Sequence, residues 1–207
     1  MTALVWKPAV TFTGVIDVSH NNGLIKWSLV PATILLVFVK ATQGTNFIDP
    51  QYRANVEGAQ DTGRLVVPYH FLTAADPLAQ AAYFAKTAGL AAGKPAMIDW
   101  EQMPPSMARA PITLMEIFTA AVAKTIARGA LCYHGMYDLT SPTINKNPWF
   151  IPKYGPAPQG PKYLFWQDRP NLRVAGVPNP TDHSIFSGTE AELRTWHKTG
   201  IMPKGFT

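Results

Sequence analysis

Apolar residues run along this chain in short blocks rich in Val, Ile and aromatic side chains. Eight stand out: "FTGVIDVS", "ILLVFVKAT", "RLVVPYHF", "PAMIDWE", "ALCYHGMY", "PWFIPKY", "KYLFWQD" and "DHSIF". Blocks of this length and composition, bounded by Gly, Pro, Asn, Asp and Ser, predict eight β-strands. Between the early blocks the apolar period lengthens to that of a helix, over about 51 to 62, 77 to 91 and 113 to 128. Asp76 can cap the second of these, with Pro77 in its first turn. In the third, Leu114, Ile117, Phe118, Val122 and Ile126 form one stripe, Thr113 and Glu116 can form a capping box, and Gly129 supplies a stop.

After Tyr137 the pattern changes. The stretch "TSPTINKNPWFIPKYGPAPQGPKY" is dense in Pro and Gly and leaves no room for long helices between the last three strands. Only "GTEAELRTWHK" resumes a helix, with Thr189 and Glu192 as a second capping box. Strands alternating with helices imply a parallel sheet, and eight strands in about 200 residues suit a closed barrel. The expected fold is therefore α/β: a modified TIM-like β/α barrel of about five βα units followed by three nearly bare strands. No internal repeat or long linker divides the chain, so one catalytic domain over residues 1–207 is expected, with no separate wall-binding domain.

Composition narrows the class without naming a function. The chain is 47% hydrophobic and 15% charged, an ordinary globular balance that excludes a disordered or fibrous protein. "ILLVFV" is far shorter than the roughly 20 apolar residues of a membrane helix, and "MTALVWKPAVTF" lacks the plan of a signal peptide. One cysteine, Cys132, excludes an internal disulfide, and its apolar surroundings suit an inert buried thiol. The net charge of +5 favours polyanionic surroundings, yet Lys and Arg are scattered, so no nucleic-acid groove is expected.

The chemistry-bearing residues gather at predicted strand ends, where barrels of this kind place their sites. They are Asp17 in "VIDVS", Asp99 and Glu101 in "MIDWE", and Asp182 at the start of the last strand. On an extended "MIDWE" the two acids share one face, roughly 6 to 7 Å apart, with Ile98 and Trp100 on the other. By itself this spacing leaves two readings: acids paired with arginines or facing solvent at a strand end, or acids held together for catalysis. A carboxyl kept beside others has its pKa raised and can serve as a general acid, which is what cleavage of a glycosidic bond requires. Trp27, Tyr69, Tyr133, Tyr137, Trp149, Tyr154 and Trp166 lie near strand ends or loops, where flat amphipathic rings suit sugar faces as well as cores.

At this point "GVIDVSHNNGLIKW", "FVKATQGTNFIDPQYRANVEGAQDTGRLVVPYHF", "MIDWE", "PWFIPKY", "FWQD" and "DHSIFSGT" together resemble family 25 glycoside hydrolases, the Chalaropsis-type lysozymes, in order over about residues 12–190. The resemblance implies the same modified barrel. It also implies N-acetylmuramidase activity on the β-1,4 bond between N-acetylmuramic acid and N-acetylglucosamine of bacterial peptidoglycan. The family's catalytic acid matches Glu101, and the partner that positions the substrate acetamido group or a water matches Asp99. Asp17 and Asp182 match the two other acidic positions, and Tyr69, Trp166 and Gln167 match positions lining the sugar cleft. Tyr133 joins them as a candidate substrate-binding ring.

The chain departs from the family pattern at Gln43 of "KATQG", where an acid is common, at Asp168 of "FWQD", where an aromatic is usual, and at His20 and Asn21. A metal site built from Asp17, His20, Asp99 and Glu101 is conceivable, but His20, His70 and His134 lack ligand spacing, so no metal or other cofactor is expected. Two rivals stay open: a non-catalytic glycan-binding barrel and a metal-dependent amino-sugar deacetylase. The expected setting is a monomeric bacteriophage lysis enzyme without stable membrane insertion, held in the host cytoplasm until released to the wall, or carried on the virion. An autolysin or a secreted toxin is the alternative.

Overall fold

A computed structural model of the chain describes residues 8–101, 109–127, 129–135, 148–158 and 162–206. Tyr137 and residues 138–147 after it lie outside these residues. All eight expected strands form: β1 (Phe12–Val18), β2 (Leu36–Gln43), β4 (Leu65–Phe71), β5 (Ala96–Asp99), β6 (Leu131–His134), β7 (Trp149–Pro152), β8 (Tyr163–Leu172) and β9 (Thr181–Phe186). A ninth, the two-residue β3 (Phe47–Ile48), folds back on β2. Pairing runs β1-β2-β4-β5-β6-β7-β8-β9, and β9 closes the ring on β1. Neighbours from β1 to β8 are parallel, whereas β9 is antiparallel to both β8 and β1.

The helices α1 (Tyr52–Asp61), α2 (Pro77–Ala88), α3 (Ile112–Ile126) and α4 (Glu190–Thr199) fall where periodicity places them. Asp76 caps α2 through the Ala79 amide at 2.7 Å, and Thr189 with Glu192 forms the expected box on α4. The connection after β1 shows no helical period in the sequence and holds only 3-10 turns at His20–Asn22 and Trp27–Leu29. One expectation fails: the capping box on α3 does not form, because Pro111 is the N-cap and Thr113 already lies inside the helix.

Alternation along the strands sorts side chains into an interior and two outer clusters. Val15, Phe38, Val67, Met97, Cys132, Phe150 and Phe165 fill the barrel. Ile98, Trp100, Tyr133 and Trp149 face outward against α2 and α3, and Ile16, Val37, Val39 and Val66 against α1 and the first loop. Helix α4 seals the amino-terminal end of the barrel: Leu193 and Trp196 join the interior cluster, and the Trp196 ring meets Phe165 edge-on at 5.1 Å. Among the described residues no helix is long and apolar enough to cross a membrane.

Candidate active site

The opposite end of the barrel is polar. Two adjoining depressions of about 160 and 220 Å³ share Asp17, Tyr69 and Asp182 in their walls; the first also holds Met97, Asp99, Glu101, His134, Pro152, Tyr154 and Gln167. The four expected acids thus meet in one cleft. Asp182 reaches it although it opens its strand, because β9 runs antiparallel and sets Asp182 opposite Asp17. Asp99 and Glu101 do share a face. The chain stays extended through Trp100, whose amide donates to the His134 carbonyl at 2.8 Å and whose indole N–H donates to the Ala110 carbonyl at 2.8 Å. Gly135 permits this approach, since a Cβ there would sit 2.3 Å from the Trp100 carbonyl oxygen.

Asp99, Asp17 and Asp182 each have a side-chain hydrogen-bond partner. Asp99, 6% exposed, accepts a hydrogen bond from His134 Nδ1 at 3.0 Å; the two residues are paired across β5 and β6. Gln167, 3% exposed, donates through Nε2 to Asp17 Oδ2 at 3.0 Å and to Asp182 Oδ2 at 3.2 Å, bridging the two carboxyls with one amide. Burial foremost, then the charge of Asp99, pushes Glu101 up to about 7, with His134 acting in the other direction. Burial and Asp182 push Asp17 up to about 7 against His134 and the Gln167 hydrogen bond. Asp182 is raised by burial, opposed by the Asn171 amide and His134. For His134, burial alone would lower the pKa, but the charge and hydrogen bond of Asp99, with Glu101 and Asp17, outweigh it and carry it to about 9.

A second cation lies close by. Lys40, on the inward face of β2, is buried beside the Phe47 and Phe71 rings and donates to Gln43 Oε1 at 2.8 Å. Burial lowers its pKa, and Asp99, Asp49 and Glu101 act in the other direction. Gln43, the departure from the family pattern, therefore leaves this lysine bonded to a neutral acceptor. His134 and Lys40 were not among the expected site residues. The only signal was positional, since each sits two residues beyond an interior side chain, Cys132 or Phe38, on its strand.

The other expected site residues divide. Tyr69 lines both depressions, and burial first, then Asp17 and Asp99, raises its hydroxyl well above the usual range. Gln167 is in place. Tyr133 is not: it is fully buried on the outer face, its ring edge-on to Trp149 at 5.4 Å, because its neighbour His134 takes the inward position. Trp166 likewise packs on the outer cluster and donates its indole N–H to the Lys153 carbonyl at 2.6 Å. His20 leaves the acids for Asp49, bonding through Nδ1 at 2.7 Å, and Asp168 bonds His183 at 2.5 Å. Buried His70 lies between Thr42 and Gln80, and burial lowers it to about 4.

Asp99, Glu101 and His134 bring donor atoms within 4.8 Å of one another, a spacing a metal could also use. The His134 Nδ1 is spent on Asp99, however, and an imidazole raised to about 9 holds a proton that a cation would have to displace. The donor set fits a protonated histidine better than a metal. A larger cavity of about 490 Å³ lies at the sealed end, lined by Pro8, Ser187, Thr189, Glu192, Lys204 and Phe206 among others. It gathers no converging acids, so the chemistry belongs to the acid cleft.

The sequence profile of the family described as Glycosyl hydrolases family 25 matches residues 16–177. Lysozyme M1 of Streptomyces globisporus is 30% identical over 202 residues, covering 86% of this chain and 69% of that protein. The uncharacterized protein YegX of Escherichia coli K12 is 26% identical over 195 residues, covering 87% and 72%. A bacterial lysozyme from Streptomyces coelicolor, solved by crystallography, superposes with a TM-score of 0.76 at 27% identity, covering 92% of this chain and 98% of that one.

Proposed function

The chain belongs to glycosyl hydrolase family 25, and on that premise we propose how its cleft cleaves a glycan. The protein is a peptidoglycan-degrading lysozyme, hydrolysing the β-1,4 bond between N-acetylmuramic acid and N-acetylglucosamine. The observation that carries the assignment of roles is the convergence of Asp17, Asp99, Glu101 and Asp182 in one cleft, with His134 hydrogen-bonded to Asp99 and near Glu101. Glu101, raised to about 7, keeps its proton to neutral pH and delivers it to the glycosidic oxygen. Asp99 carries negative charge at the anomeric side as the oxocarbenium-like centre develops. Asp17 and Asp182, bridged by Gln167, shape the adjoining depression, and Tyr69 between the two offers a ring and a neutral hydroxyl to the sugar.

One carboxylate oxygen of Asp99 and one of Glu101 lie within 4.8 Å of each other, so both carboxyls can reach the same glycosidic bond. Digestion of purified peptidoglycan followed by mass spectrometry tests the reaction: muramic acid is expected at every new reducing end, and N-acetylglucosamine there would overturn it. Glu101→Gln should lower clearing of the same substrate by about three orders of magnitude with a melting temperature no lower than that of the wild type. Full activity in that variant would remove Glu101 from its role.

A further inference from the structure

His134 sits where the four acids can all act on it. Asp99 at the end of β5 and Glu101 just beyond it face it, with Asp17 from β1 and Asp182 from β9, while Tyr69 of β4 and Tyr154 after β7 share the same cavity wall. Lys40 of β2 acts on Asp99 and Glu101 from the other direction. The imidazole is 7% exposed and meets the Phe150 ring edge-on at 4.7 Å, which fixes its plane. Nδ1 is bonded to Asp99, whereas Nε2 is buried and has no hydrogen-bond partner among the described residues. A buried N–H left unmet is costly, so this atom points to a group that arrives with the substrate.

We infer that His134 is a positioning residue of the hydrolysis: its Nδ1–H holds the Asp99 carboxylate in place, and its Nε2–H donates to an oxygen of the bound sugar chain. The inference rests on the reading of this cleft as the site of sugar cleavage. The charge of Asp99 is, after burial, the second cause that raises Glu101, while the charge of His134 opposes it. His134 thereby acts through the placement of Asp99 beside Glu101, without touching the bond that breaks.

Two experiments on the full chain test this. In the first, nitrogen-15 NMR of the unliganded wild-type protein should show both His134 ring nitrogens protonated at pH 7.5, with the proton leaving only near pH 9; a neutral ring at pH 7.5 would overturn the inference. That readout needs no activity, so it stands apart from a failure to release reducing ends, which would instead sink the hydrolase assignment. In the second, His134→Asn keeps a donor near Asp99 and loses the charge and the second N–H, while His134→Gln serves as a companion should the first not fold. The folded variant should lose about 30- to 100-fold in kcat/KM, with a raised KM, and the acid limb of its pH profile should move up by at least about one unit. A variant whose activity drops with both limbs unmoved would make His134 merely structural.

Discussion

Two successive layers of side chains inside the barrel differ sharply, although they come from the same strands two residues apart. The lower layer holds Val15, Phe38, Val67, Met97, Cys132, Phe150 and Phe165. One step toward the open end the same strands present Asp17, Lys40, Tyr69, Asp99, His134, Pro152 and Gln167. The lower layer gains stability by leaving water and requires no particular partner. The upper layer gives up part of that gain, because each of its charged groups must be matched by another. What the contrast teaches is that fold and function here share strands and differ only in layer, so substitutions in the two should fail in different ways.

The sharpest break in the comparison is Phe165→Ala in the lower layer. Its fully buried ring touches Phe38, Phe150, Phe186 and Trp196, and removal should cost about 3 to 5 kcal/mol of stability, read by denaturant melts. The per-molecule activity of whatever stays folded should be nearly unchanged, the opposite of the expectation for Glu101→Gln. A smaller effect comes from pH. With Glu101 near 7, kcat/KM should fall about tenfold per unit above that point.

Stability should decline with pH as well, and the sign follows from the same groups. Asp17 and Glu101 are raised, so their contribution favours folding below about pH 4 and is gone above 7. His134 is raised from 6.5 to about 9; its contribution is complete below 6.5 and lost as pH climbs through 9. Melting temperatures between pH 7 and 9 should therefore fall in the wild type and flatten in His134→Asn.

Gln167→Leu should have a more modest effect, about tenfold on kcat/KM, because the amide that bridges Asp17 and Asp182 is lost while the catalytic pair is kept. The smallest expected effect is on approach to the wall. With a net charge of +5, activity on whole cell walls should fall several-fold as ionic strength rises from about 0.01 to 0.15 M and the Debye length shrinks from about 30 to 8 Å. Activity on short soluble fragments should hold steady over that range, since they carry little of the envelope's charge.

Much of this molecule can be read from local pattern. A run such as "MIDWE" announces both a strand and two acids on one face, because side-chain direction alternates along any extended chain. The four helices follow from apolar period and from caps such as Asp76 and Thr189, which satisfy amides within their own first turn. The four acids and their placement near strand ends belong to this local layer, and so does the excess of positive charge.

Which side of the wall a residue faces, and what it meets there, depended on neighbouring strands. In β8 the pairing with β7 slips by one residue, so that Tyr163 lies opposite Trp149 but Phe165 opposite Phe150. Leu164 and Phe165 both join the interior at this irregularity, and beyond it regular alternation sends Trp166 outward and Gln167 toward the acids. The antiparallel entry of β9 brought Asp182 beside Asp17, and the β5–β6 register set His134 against Asp99 across 35 positions of sequence. Strand content, helix content and the acids themselves are short-range properties that the sequence determines alone. The pairing of those acids with an amide and an imidazolium is long-range, and closure of the barrel decided it.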